Sequence, residues 1–202
     1  MLELLTGTGL AAAAGLNAYI PLLTLGLASR FLDFVQLPAG WSWLSNEWVL
    51  VILGVLLILE IVADKVPVVD NINDWVQTVV RPVAGGIVFG GGANTETHFV
   101  TDPDKFFSSN QWVPVVVGVV IALAIHLVKM SARPVINTVT LGMGGAAAST
   151  VEDAGAIGLS LSAVLLPVFV IVMLGLVIAG FVALFRRLGT MAKRKKSVAA
   201  QE

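Results

Sequence analysis

An all-α, polytopic membrane helix bundle of about six segments is the fold that this 202-residue sequence predicts, and three observations predict it. The composition is 57% hydrophobic and 12% charged with a mean hydropathy of +0.92, too apolar for an ordinary soluble domain of this length. Uncharged runs from Leu4 to Ser29 and from Ala154 to Phe185 exceed the roughly 20 residues that a bilayer core demands. A unit of helix, proline turn and small-residue helix occurs twice.

The segments lie near residues 5–31, 47–66, 71–92, 111–132, 135–152 and 156–186. The first is apolar apart from Asn17 and Tyr19, followed by Pro21; these polar marks are expected to line an interior. The second stays apolar until Glu60 and Asp64, one helical turn apart and so on one face. The third follows a turn at Pro67, with Asp70 placed to cap it, Asp74 in its first turn and Arg81 deeper. The fourth carries His126, Lys129 and Arg133. The fifth follows a turn at Pro134, with Asn137 in the capping place. Before the sixth stand Glu152 and Asp153, where a helix N-terminus favours negative charge and Ser149 or Asp153 can cap. Segments three and five contain Ala84-Gly85-Gly86 and Gly144-Gly145-Ala146-Ala147-Ala148, so they are central helices in close contact or re-entrant hairpins lining a cavity.

The repeat is read from matched polar residues. Ser45-Asn46-Glu47-Trp48-Val49 recurs as Ser109-Asn110-Gln111-Trp112-Val113, and Pro67-Val68-Val69-Asp70-Asn71 is echoed by Pro134-Val135-Ile136-Asn137-Thr138. The copies cover residues near 45–92 and 109–152 within one domain, 1–190, followed by a basic tail, 191–202. Internal repeats recur in transporters, with sites at the repeat interface; chance similarity of apolar helices is the competing reading.

Charge sets the expected orientation. Arg186, Arg187, Lys193, Arg194, Lys195 and Lys196 make up half of the 12 basic residues, which marks that end as cytoplasmic and suits contact with anionic headgroups rather than nucleic acid. With six spans, Lys65, Lys129 and Arg133 fall on the same side, and both termini are cytoplasmic. The opposite loops hold Asp33, Glu47, Glu96, Asp102, Asp104, Glu152 and Asp153 against Arg30 and Lys105. Met1 to Leu5 lacks a basic leader, so the first helix is expected to stay in place.

Ionisable groups at membrane depth cost on the order of 2.5 to 3.5 kcal/mol each on insertion scales, so Glu60, Arg81, His126, Lys129 and Arg133 are expected to pair or to line a pathway. Arg81 and Glu60 reach similar depths on consecutive helices, which predicts a contact between them. His126, Lys129, Arg133 and Asn137 follow spacings of three, four and four, a basic stripe opposite the acidic face of Glu60 and Asp64. His126 is the intramembrane candidate for proton exchange, or is held by Glu60 or a backbone carbonyl; Lys129 and Arg133 either enter the interior or snorkel to headgroups.

The chain has no cysteine, which excludes disulfides and thiolate chemistry, and shows no nucleophile elbow, zinc-helix motif, phosphate loop or dinucleotide fingerprint. No enzymatic activity, cofactor or metal is expected. Glu96, His98, Asp102 and Asp104 match no specific metal spacing and read as a solvated loop.

Gly15-Leu16-Asn17-Ala18-Tyr19-Ile20-Pro21, Glu60 with Ala63-Asp64-Lys65-Val66-Pro67 and Asp70, and Arg81-Pro82 with Gly85 form a recognisable set. With His126, Lys129, Arg133, Asn137 and Glu152-Asp153, the set resembles a family of small prokaryotic integral membrane proteins of unknown function. The resemblance implies a multi-pass protein of the inner membrane and supplies no activity. The family pattern has an Asn in the small-residue segment where this chain reads Ala146-Ala147-Ala148, which puts in doubt any role for a polar group there.

Two functions are expected from these residues. One is a small transporter or permeation protein with a charged interior of Asn17, Glu60, Asp64, Asp70, Arg81, His126, Lys129, Arg133 and Asn137, carrying a small polar or ionic substrate and open to proton coupling. The other is a non-transporting scaffold or assembly subunit whose ion pairs fix helix packing. Homodimerisation through small-residue faces fits either.

Overall fold

The computed structural model describes residues 1–93, 112–140 and 143–199 and is all-helical over them. Its elements are α1 (Leu2–Leu16), α2 (Tyr19–Phe31), a 3-10 helix (Ala39–Ser45), α3 (Glu47–Ala63), α4 (Pro67–Gly92), α5 (Trp112–Val139), α6 (Met143–Leu165) and α7 (Phe169–Ala199).

Helix α1 is the axis of the bundle. Leu10 and the four alanines Ala11, Ala12, Ala13 and Ala14 are completely buried, as expected of a helix that is apolar all round. At Asn17 the backbone turns extended, with φ −147° and ψ 124°, and α1 stops. The Asn17 side-chain oxygen accepts from the amides of Tyr19 at 3.1 Å and Ile20 at 3.2 Å, so the residue that ends α1 also caps α2. Pro21 falls in the first turn, where a missing donor is harmless.

Helix α2 then runs back beside α1. Leu25 lines the same surface cavity as Leu2, Thr6 and Gly92, whereas Gly15 packs against Ala122 and Ile125 further down. The first segment is therefore a hairpin with its tip at Asn17. At about 1.5 Å per residue its 15- and 13-residue arms reach only about 22 and 20 Å.

The remaining helices alternate in direction. α3 starts at the open end of the hairpin, where Asn46 caps it by accepting from the Trp48 amide at 3.0 Å, and ends beside the tip. α4 begins with Pro67 at its first position and climbs back alongside α1. α5 descends against α4 so closely that a Cβ on Gly118 would meet the carbonyl oxygen of Gly85. α6 rises, with Thr6 of α1 donating to the Ala163 carbonyl at 2.9 Å, and α7 descends from Val170, beside Gly9, to Val177, beside Gly155.

Several expectations are corrected by this arrangement. The segment that folds as a hairpin is the first; segments three and five, the ones expected as possible hairpins, fall in long helices, segment three in α4 of 26 residues and most of segment five in α6 of 23 residues. Pro134 makes no turn: α5 continues through it to Val139, and the following helix begins at Met143. The two segments read as repeat copies thus differ, since α3 ends before Pro67 whereas α5 runs through Pro134 and Asn137 to Val139. The sixth segment is divided, its first part closing α6 and α7 opening at Phe169 after Pro167. The start of α1 and the end of α7 lie at opposite ends of the bundle.

Among the described residues, one helical stretch, Trp112–Pro134, is long and apolar enough to cross a membrane, and the 3-10 helix with α3 passes the same test as a pair bent by 64°. Apolar side chains cover the outside. In one turn of α3, Leu59 is 58% exposed while Glu60 is 3% exposed.

Candidate functional site

The polar residues gather where the hairpin tip meets α3, α4, α5 and α6. In the upper group, Arg81 of α4 donates to Glu60 Oε1 of α3 at 2.8 Å, with both side chains essentially inaccessible. Its Nη1 lies 3.2 Å from His126 Nδ1 and donates to the Gly15 carbonyl at 3.4 Å. Guanidinium nitrogens only donate, so His126 Nδ1 accepts and the imidazole hydrogen belongs on Nε2. That nitrogen is 3.0 Å from the Thr78 hydroxyl, which itself donates to the Asp74 carbonyl at 2.8 Å. His126 is thus held by Arg81, Thr78 and the backbone carbonyl of Asp74, the backbone contact being one of the two expected for it.

In the lower group, two cations share two carboxylates. Lys129 Nζ is 2.9 Å from Glu152 and 3.6 Å from Asp64, and Arg133 Nη2 is 3.1 Å from Glu152 and 3.3 Å from Asp64. Asp64, at the C-cap of α3, also accepts from Asn73 at 2.8 Å and from Ser149 at 3.3 Å. Ser149 in turn receives Lys65 at 3.3 Å. The Arg133 Nε atom faces Asp74 at 3.9 Å.

The broken helix joins the groups. Because the Tyr19 and Ile20 amides turn to the Asn17 side chain, the carbonyls of Gly15 and Leu16 have no helical donor. Arg81 takes the first and Lys129 the second, at 3.2 Å. Cationic groups at a helix C-terminus are favoured by its dipole. Asn17 Nδ2 completes the tip by donating to Asp153 at 3.0 Å.

Glu60, Asp64, Arg81, His126, Lys129, Arg133 and Asn17 therefore belong to one continuous network. Lys129 and Arg133 do not snorkel; each is 1% exposed. Asn137 joins less closely: it lies within α5 against Gly145, its Oδ1 has no hydrogen-bond partner, and it caps no helix. The side chain of Asp70 lies outside the described residues, as do Glu96, His98, Asp102 and Asp104 and the second copy's Ser109, Asn110 and Gln111.

Glu152 and Asp153 correct another expectation. They sit inside α6 and supply the network's carboxylates, so they neither begin nor cap the last helix. The network also takes Thr78, Asn73 and Ser149, which no charge pattern marks; their spacing from Asp74, Arg81 and Glu152 on their own helices is the available signal. Gly15 matters for a different reason, since a Cβ there would lie 2.7 Å from both the Ala122 carbonyl and Ile125 Cβ and force α1 and α5 apart beside the network.

A family model described as "Domain of unknown function (DUF4126)" matches residues 4–187, which include every member of the network. No curated protein and no solved structure matches the chain.

Proposed function

The chain belongs to the DUF4126 family, whose description assigns no activity, and from that premise we propose that it is a small multi-pass membrane protein passing a polar or ionic species through its charged interior. The observation that carries this reading is the inverted distribution of side chains. Arg81, His126, Lys129 and Arg133 are at most 1% exposed, whereas Val55, Ile58, Leu59, Val79, Ile171 and Leu176 are all more than half exposed. Water rewards the opposite arrangement, and lipid rewards this one. Proteins tolerate ionisable groups at such depth mainly along ion or proton pathways.

The hairpin supports the same reading. A discontinuous helix whose freed carbonyls face cationic groups is the way secondary transporters build sites near the midplane. In this proposal α3, α4, α5, α6 and α7 span, the α1–α2 hairpin enters from one side, and the basic end of α7 lies in the cytoplasm of a prokaryotic cell.

A scaffold is the second reading, favoured by the way Lys129, Arg133, Asp64 and Glu152 close on one another. Single cysteines at Ala63 and Thr78 in the cysteine-free chain separate the two. Labelling of Thr78→Cys by a membrane-impermeant maleimide is expected for a pathway that water enters. Complete protection of both positions in folded protein would remove the pathway and leave the scaffold.

A further inference from the structure

Resting on the transport reading, we infer that the interior holds an exchangeable monovalent cation, a proton or an alkali ion, between Glu60, Gln77 and Asp74. Three buried oxygens have no hydrogen-bond partner there: Glu60 Oε2, Gln77 Oε1 and Asp74 Oδ1. Their residues are 3%, 2% and 4% exposed, so bulk water does not satisfy them. A buried acceptor left unmatched is costly, and an unmatched carboxylate oxygen more so.

Asp74, Gln77 and Arg81 follow spacings of three and four on α4 and so share one face. That face looks toward Glu60 through Arg81, and toward Tyr19 of the hairpin, which neighbours both Gln77 and Glu60. Arg81 Nε also has no acceptor, yet across these four residues the oxygens without a donor outnumber it.

Charge counting points the same way. Among the described residues, the network's carboxylates are Glu60, Asp64, Asp74, Glu152 and Asp153. Its buried cations are Arg81, Lys129 and Arg133, with Lys65 exposed at the edge. The hydrogen-bond pattern of His126 adds no charge. Glu60 faces Arg81 from α4, Lys129 from α5, Tyr19 from α2 and Asp64 beyond its own helix end. Asp74 faces Lys129 and Arg133 from α5, Arg81 from its own helix, Asp64 from α3 and Glu152 from α6. Among these described groups the carboxylates therefore outnumber the cations, five to four. A divalent metal is the poorer occupant, because among the described residues no three His, Asp or Glu side chains converge on a metal-holding position.

Infrared absorption spectra of the purified protein in lipid nanodiscs, recorded in Na⁺ and in choline at neutral pH and compared with those of the variants, test the site. A protonated-carboxyl band in the wild type that Na⁺ removes, with release of a proton, identifies an alkali ion displacing the resident proton. A band that Na⁺ leaves alone and that Glu60→Gln or Asp74→Asn abolishes identifies the proton as the occupant. A shift of carboxylate bands with Na⁺, without a protonated band, identifies the alkali ion. A wild-type spectrum with no protonated band and no Na⁺ response overturns the inference, as does a band that survives both substitutions. Where one variant fails to fold, the wild-type spectrum and the other variant decide. It is also independent of flux: a bound cation in a chain that moves nothing sinks the transport reading and leaves this site standing.

Discussion

Asn17 and Asp153, 136 positions apart in the sequence, meet through a 3.0 Å hydrogen bond that pins the tip of the α1–α2 hairpin to the middle of α6. The same asparagine caps α2 with its other side-chain atom. One residue thus ends a helix, starts the next and anchors the turn between them.

Replacing Asn17 by Ala removes the cap and leaves Asp153 without its donor. Caps are worth about 1 kcal/mol and a buried acceptor left unmet costs about 1 to 3 kcal/mol, so Asn17→Ala is expected to destabilise by about 2 to 4 kcal/mol. Asn17→Asp keeps acceptor oxygens for the cap but sets a carboxylate against Asp153. It should be the less stable variant at neutral pH and recover as acid protonates one of the pair. Thermal unfolding in detergent across pH measures both; equal stability of the two variants at every pH would show that the contact with Asp153 contributes nothing.

The Glu60–Arg81 pair carries a second prediction. Both side chains are fully enclosed, and removing one partner of a buried pair typically costs about 3 to 5 kcal/mol because the other charge is stranded. Arg81→Met alone strands Glu60 and releases His126 Nδ1 and the Gly15 carbonyl as well. Glu60→Gln should be milder, since an amide oxygen still accepts from Arg81. The double variant Glu60→Gln with Arg81→Met is expected to be more stable than Arg81→Met alone, by about 1 kcal/mol or more. Additive losses in a double-mutant cycle would mean that the pair is not coupled.

This contact was legible in the sequence because depth can be counted along two helices joined by a short turn. The clustering of His126, Lys129 and Arg133 was legible from their spacing for a similar reason. Glu152 was not, because its role depends on where α6 begins. Pro134 suggests a break, yet packing of α5 carries the helix on to Val139, and the true break falls later. The hairpin was equally hidden. Asn17 interrupts an alanine-rich run only mildly by propensity, and the turn is decided by what the tip touches: Arg81, Lys129 and Asp153, all distant in sequence. The expected contact of Glu60 with His126 failed because Arg81 lies between them and uses both.

The lower group predicts redundancy. Asp64 and Glu152 each have both Lys129 and Arg133 within 3.6 Å, so loss of either cation leaves each carboxylate with one charged neighbour. Lys129→Met also frees the Leu16 carbonyl, whereas Arg133→Met gives up its approach to Asp74. Either single variant is expected to fold with a loss of about 1 to 3 kcal/mol, as for a hydrogen bond to a charged group. The double variant strands two carboxylates at once and should lose more than the sum of the singles. Restoring one neutral partner, as in Lys129→Met with Glu152→Gln, should recover part of the loss by removing a charge that has lost half of its compensation. Unfolding midpoints of the four proteins in one detergent check this, and strict additivity would show that the two cations act on separate carboxylates.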